Sequence, residues 1–179
     1  GGTFRNCLFA AEKGNAVYAV ACDSTFDNCT FVAAEASELM YFPANKPNLL
    51  TFRNCIFYRP GGLAPLATGC KGFSLSFSSC CFSKEPTERV NMTMDGNCLL
   101  NVDPRFADAA KGNWMPRRNS PCVDKGKRLD WMTAGSLDLA GMSRIVRAGR
   151  PMSVDAEAMP DMGCLENQEE RRGSCVVIR

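Results

Sequence analysis

Histidine is missing altogether from this chain of 179 residues. Its absence excludes the triads in which an imidazole carries a proton between nucleophile and leaving group, and it removes the commonest metal ligand. Eleven cysteines could supply thiolates, but no two stand at the C-x-x-C spacing of structural zinc sites, so no metal and no cofactor is expected. An excess of one charge is lacking too: 21 Lys and Arg against 19 Asp and Glu leave +2. Arg117, Arg118, Lys125, Lys127 and Arg128 form a loose basic cluster without the interleaved aromatics that stack bases. It reads as a solvated loop and argues against a nucleic-acid partner. No apolar run approaches the roughly 20 residues of a membrane-spanning helix, so no transmembrane segment is expected.

What the chain does contain is one phrase written four times. It reads Thr3-Phe-Arg-Asn-Cys-Leu-Phe9, Thr25-Phe-Asp-Asn-Cys-Thr-Phe31, Thr51-Phe-Arg-Asn-Cys-Ile-Phe57 and, more loosely, Ser76-Phe-Ser-Ser-Cys-Cys-Phe82. The starts are 22, 26 and 25 residues apart, a period that points to stacked repeats. Side chains alternate faces along a strand. Phe4, Cys7 and Phe9 can therefore share the inside, with Arg5 and Leu8 outside, only if Asn6 bends the chain. Asn suits such a bend because it tolerates the left-handed conformation.

Stacking at about 4.8 Å would place Phe4, Phe26, Phe52 and Phe77 in one internal column and Phe9, Phe31, Phe57 and Phe82 in another. Asn6, Asn28 and Asn54 would form an amide ladder, each bonded to its neighbours above and below, ending where Ser79 replaces Asn. Arg5, Asp27 and Arg53 would alternate in sign on an exposed face, where ion pairs contribute under about 1 kcal/mol. Gly14 to Tyr18, Leu39 to Phe42 and, less well, Leu63 to Leu66 supply a third short strand. Three strands per repeat is the arithmetic of a right-handed parallel β-helix, and the Leu-x-x-Leu-x-Leu of the competing leucine-rich solenoid is absent. The expected fold is all-β: β-helix coils over 1–100, an irregular C-terminal closing and capping segment over 101–166, and a tail over 167–179. Trp114 and Trp131 are expected to shield the last coil.

The repeats, followed in order by Asp103-Pro-Arg-Phe106, Ser120-Pro-Cys-Val-Asp-Lys-Gly126, Asp138-Leu-Ala-Gly141 with Arg144, and Asp161-Met-Gly-Cys-Leu-Glu166, resemble bacterial surface and secreted right-handed β-helix proteins. That group includes pectate-lyase-like proteins and polymorphic outer-membrane passengers. The resemblance covers residues 1–166. It implies an extracytoplasmic location and a polysaccharide or cell-surface glycan as partner. Gly1-Gly-Thr reads as mid-coil, so upstream coils of the same protein are expected to stack on it.

Cys7, Cys29, Cys55 and Cys80, extended by Cys98, fall in one column. Neighbouring strands hold Cβ atoms farther apart than the roughly 3.8 Å a disulfide wants, so free thiols acting as small hydrophobes are favoured over vertical bridges. Cys122 with Cys164 is the pair best placed for a true bridge. Asp103, Asp124, Asp138 and Asp161 read as turn-makers, with a calcium site as the sharper alternative. Asn28-Cys-Thr and Asn91-Met-Thr match the glycosylation pattern, but Asn28 lies in the proposed ladder and is set aside.

A glycoside hydrolase needs two converging carboxylates, and a lyase needs a Lys or Arg base. Neither set is evident, and no catalytic residue is assigned. Lys13, Glu35, Glu38 and Tyr41 form the best available substrate-binding cluster. Tyr18, Tyr41 and Tyr58 fall in the coil region where a sugar could stack, although filling the coil corners is the favoured role for them. Two readings stay open: a non-catalytic glycan- or surface-binding scaffold, or the C-terminal part of a polysaccharide lyase or glycoside hydrolase whose catalytic residues lie upstream.

Overall fold

The computed structural model describes residues 1–18, 23–33, 39–42, 48–61, 66–69, 72–86, 91–145 and 158–168. Three parallel sheets dominate. The first holds β1 (Thr3–Arg5), β4 (Ser24–Asp27), β7 (Leu49–Arg53), β10 (Ser74–Ser78) and β12 (Asn91–Met94), stacked in that order. The second runs in the same direction through β2 (Leu8–Ala11), β5 (Thr30–Ala33), β8 (Ile56–Tyr58), β11 (Cys81–Phe82) and β13 (Leu99–Leu100). The third holds β3 (Val17–Tyr18), β6 (Met40–Phe42) and β9 (Ala67–Gly69). An antiparallel pair, β14 (Phe106–Asp108) and β15 (Asn113–Pro116), follows. No α-helix occurs among the described residues. The third strand of the third repeat begins at Ala67, later than the expected Leu63 to Leu66, most of which lies outside the described residues.

Register follows the phrase. Phe4 pairs with Phe26, Phe26 with Phe52 and Phe52 with Phe77, while Phe9, Phe31, Phe57 and Phe82 pair likewise. Within each column the rings stack with centroids 4.8 to 5.0 Å apart. Between columns they meet edge to face, as for Phe52 and Phe57 at 5.3 Å. Both geometries suit the aromatic quadrupole. Phe31, Phe52, Phe57 and Phe82 are fully buried, but Phe4 on the edge strand β1 is 40% exposed. Full burial of such a side chain stabilises by about 1.5–3 kcal/mol, so the inner repeats hold most of the packing energy.

The bend is made as the phrase requires. Asn6, Asn28 and Asn54 have φ of 52°, 48° and 56°. Ser79 takes φ 51°, so the bend outlasts the asparagines. Asp95 supports it from the next repeat, its Oδ1 accepting the Ser79 N–H at 3.0 Å and its Oδ2 the Ser78 hydroxyl at 2.8 Å. The column cysteines are free thiols. Cys55 Sγ donates to the Phe26 carbonyl at 3.3 Å and Cys80 Sγ to the Phe52 carbonyl at 3.5 Å. A small apolar side chain with a weak donor suits a position facing both core and main chain.

Three expectations are corrected where the closing segment meets the bends. First, the asparagine amides do not form a continuous ladder. Asn54 Nδ2 donates to Asn28 Oδ1 at 3.2 Å, but also to the Lys127 carbonyl at 2.7 Å. Asn28 Nδ2 donates to the Asp161 carbonyl and Asn6 Nδ2 to the Leu137 carbonyl. A left-handed Asn turns its side chain outward, and the segment alongside offers main-chain acceptors. Second, Asp27 is fully buried, not exposed; Arg53 grips it with Nε at 2.6 Å and Nη2 at 2.8 Å, and Arg5 approaches to 3.7 Å. Third, the tryptophans do not sit together over the last repeat. Trp131 stacks on the Arg5 guanidinium at 5.0 Å, beside the first repeat, while Trp114 packs against Tyr58 and Phe106.

The outward residues Thr30, Ile56 and Cys81 are consequently buried as well, and Ile56 and Cys81 cluster with Phe106, Cys122 and Met162. Close approach depends on two glycines. A Cβ on Gly163, which has φ 93°, would meet Ile56 Cδ1 at 2.7 Å, and one on Gly126 would meet the Pro160 carbonyl oxygen at 2.7 Å. Lys127 is not merely solvated, since its Nζ pairs with Asp95 at 2.6 Å.

Candidate functional site

The residues singled out in sequence do not gather. Lys13 is exposed in the bend after β2, and Tyr41 is half-buried in β6, its ring 5.6 Å from exposed Tyr18. Among the described residues no hydrogen bond or ion pair joins Lys13 to Tyr41. Glu35 and Glu38 lie outside the described residues. Asn6, Asn28 and Asn54 are occupied in holding the closing segment.

A different site is built on the outer face of the second sheet. Ala10 pairs with Val32 and Val32 with Tyr58, so one outward column steps from small side chains to a large one. Opposite this step stands the 3-10 turn Ala109–Lys111, ended by Gly112 in the left-handed conformation at φ 74°, and then Trp114 of β15. Between them runs a groove of about 780 Å³, with Glu12 and Pro60 also lining it.

Its aromatic end is rigid. Phe106, itself buried, meets Tyr58 at 5.3 Å and Trp114 at 5.3 Å, both edge to face, and the Tyr58 and Trp114 rings lie 6.0 Å apart at 57°. Burial, and then the charge of Asp103, push the Tyr58 phenol up from its usual range, so it stays a neutral hydroxyl. An apolar floor with two angled aromatic faces and polar tips is suited to a ligand with an apolar ring face and hydroxyl edges. Among the described lining residues the one ionisable acid is Glu12, and no described Lys or Arg joins it.

The acidic residues of the closing segment have other work. Arg144, fully buried, donates through Nη1 to Gly163 O at 3.1 Å and Glu166 Oε2 at 3.0 Å, and through Nη2 to Cys164 O and Asn6 Oδ1, both at 2.8 Å. Glu166 accepts the Asp161 N–H and donates its own to Asp138 Oδ2. Asp138 Oδ1 accepts from Ala140 and Met142, and the Asp161 oxygens accept from Asp124 and Asn167. Asp103 closes its own turn by accepting the Arg105 N–H. Of the four carboxylates that sequence offers as a calcium set, Asp103, Asp138 and Asp161 accept main-chain N–H groups and shape the turns of the segment. Among the described residues no three Cys, Asp or Glu side chains group as metal ligands. Burial pushes the Asp161 carboxyl up to about 7, against the two N–H donors and Arg144 that pull it down. Glu166 is raised too, by burial and by Asp161.

The groove was partly legible. Tyr58 was named as a sugar-stacking residue, and the outward alternation after each second Phe marks Ala10, Val32 and Tyr58 as one column. Trp114 was not, because its position depends on a segment that carries no repeat. Comparison of the chain with protein-family models, with curated proteins and with solved structures finds no match.

Proposed function

We propose that the chain is the terminal part of an extracytoplasmic right-handed parallel β-helix, a scaffold that is not itself catalytic and that binds a glycan in the groove beside Tyr58 and Trp114. The observation that carries the reading is the angled Tyr58–Trp114 pair facing a floor of Ala10 and Val32, with Glu12 the one acid among the described lining residues. Three in-register parallel sheets joined by crossovers support the β-helix, because connections between parallel strands of one sheet are right-handed in about 98% of cases. The order of the closing motifs supports the surface setting. The exposed edge at Phe4 and Leu8 fits a further coil carrying the same phrase, so upstream coils of the parent protein are the second partner proposed.

Affinity electrophoresis of the intact chain through gels containing neutral, acidic and amino-sugar polysaccharides tests the glycan reading. Retardation by at least one polysaccharide is expected, and Trp114→Ala should abolish it, since Trp114 lies at the groove wall and is only half-buried. Free migration through every gel, or equal retardation of the variant, would remove the reading. A direct test of the winding is a crystal structure of the same chain.

A further inference from the structure

Cys81 and Cys122 stand apart from the other thiols. Each is fully buried, and both belong to the small apolar cluster between the second sheet and the closing segment. The neighbouring Cys122 thiol, and then burial, push the Cys81 thiol up from its usual range. Cys122 sits in the turn 121–124, held by its N–H on Ser120 Oγ at 3.0 Å and by its carbonyl, which accepts from Met162. Cys164, the partner expected from sequence, lies instead beside Cys29 and Thr30, its N–H on Thr30 Oγ1.

The column thiols are locked into neighbouring parallel strands, whose spacing of about 4.8 Å exceeds the Cβ separation of a disulfide, about 3.8 Å. Cys29, Cys55 and Cys80 each also have two main-chain carbonyls within reach of the single S–H, one in the preceding repeat and one two residues back in their own. Cys81 donates to one carbonyl, Val102 O at 3.7 Å. Its thiol neighbour Cys122 comes not from an adjacent parallel strand but from an overlying turn in the same apolar cluster, so strand spacing does not hold the two apart.

We propose that Cys81 and Cys122 are the disulfide site of this chain, bridged when it folds in an oxidising compartment, so that the closing segment is stapled to the fourth repeat. The oxidant is a small-molecule or protein disulfide. One cysteine thiolate attacks it, forming a mixed disulfide and releasing one thiol. The second cysteine, losing its proton to solvent, attacks the mixed disulfide and releases the other thiol. The two cysteines are oxidised by two electrons, and the reagent disulfide is reduced to two thiols. The column cysteines Cys29, Cys55 and Cys80 stay reduced because their neighbours are held at strand spacing. This inference does not depend on the glycan reading.

The test is to refold the reduced chain in a buffer of oxidised and reduced glutathione, alkylate it, and map disulfides by peptide mass spectrometry. Two of the eleven thiols should be lost, with residues 81 and 122 in one linked peptide pair. The urea midpoint should rise, and dithiothreitol should reverse the rise. Cys164→Ser should give the same linked peptides. Cys122→Ser should leave all its thiols free. If refolding yields little protein, oxidation of the folded reduced chain gives the same readout. A bridge within the Cys29–Cys55–Cys80 column, a bridge between Cys122 and Cys164, or no bridge at all would each overturn the proposal.

Discussion

The repeats and the closing segment are held by opposite means. Among the described residues between 1 and 100 the core is dominated by a pair of phenylalanine columns, and buried polar side chains such as Asp27, Asn28, Thr30 and Asn54 cluster at and beside the bends. Among the described residues from 101 to 168 there is little regular structure, and order comes from carboxylates, asparagines and arginines bonded to main chain, Arg144 the most deeply buried of them. The first kind of order is periodic and tolerant, because each Phe is supported by the next. The second is singular: Arg144 alone makes four hydrogen bonds to four different residues. A stack of repeats can lose a unit at its edge, but the clasp has no spare part.

Substitutions should separate the two regions. Phe52→Ala should cost roughly 3–5 kcal/mol in urea unfolding, since a buried aromatic leaves a cavity between repeats, whereas Phe4→Ala, 40% exposed at the edge, should cost markedly less. Equal losses would mean that the columns are not cooperative packing. Arg144→Met should cost about 3–5 kcal/mol by leaving Glu166 buried without its partner. Its signature should differ from that of Phe52→Ala: limited proteolysis should cut first within the closing segment while the repeats survive. Simultaneous cleavage everywhere would merge the two regions into one unit.

Asp27→Ala sharpens the boundary between them. The pair with Arg53 is buried on one side only, Arg53 being 35% exposed, so a loss of about 1–3 kcal/mol is expected, in the range of hydrogen bonds to charged groups. A loss indistinguishable from zero would return Asp27 to the exposed face that the sequence alone suggested. The clasp also makes stability depend on pH. Asp161 is near 4 when unfolded and about 7 when folded, so between these values the folded state holds the extra proton. Its contribution to stability is therefore fully present below about pH 4 and is lost as pH rises through 7. Urea midpoints of Asp161→Asn should show less of this slope than the parent. An unchanged slope would place the titration elsewhere.

The contrast also explains what could be read from the letters. Phe-x-Asn-Cys-x-Phe encodes its own geometry, since two inward aromatics with an odd spacing demand a bend, and Asn supplies one. The same logic failed at Asp27, Thr30 and Ile56, which alternate outward from their strands and yet are buried. Nothing within a repeat announces that residues 101–168 will lie against its outer side. Trp114 was invisible as a groove wall for the same reason. The motifs Asp138-Leu-Ala-Gly141 with Arg144 and Asp161 to Glu166 were legible as a set but not as a clasp, because their partners, Asn6 and Gly163 among them, are distant in sequence or present only main chain.

Amide hydrogen exchange on the intact chain tests the arrangement most directly. The account predicts that Gly163 and Cys164, whose N–H groups bond to Asn54 O and Thr30 Oγ1, exchange as slowly as the inner strands β5 and β8, while β1 at the exposed edge exchanges faster. Rapid exchange at Gly163 and Cys164 beside a protected stack would contradict it, leaving no fixed wall for the groove at Trp114.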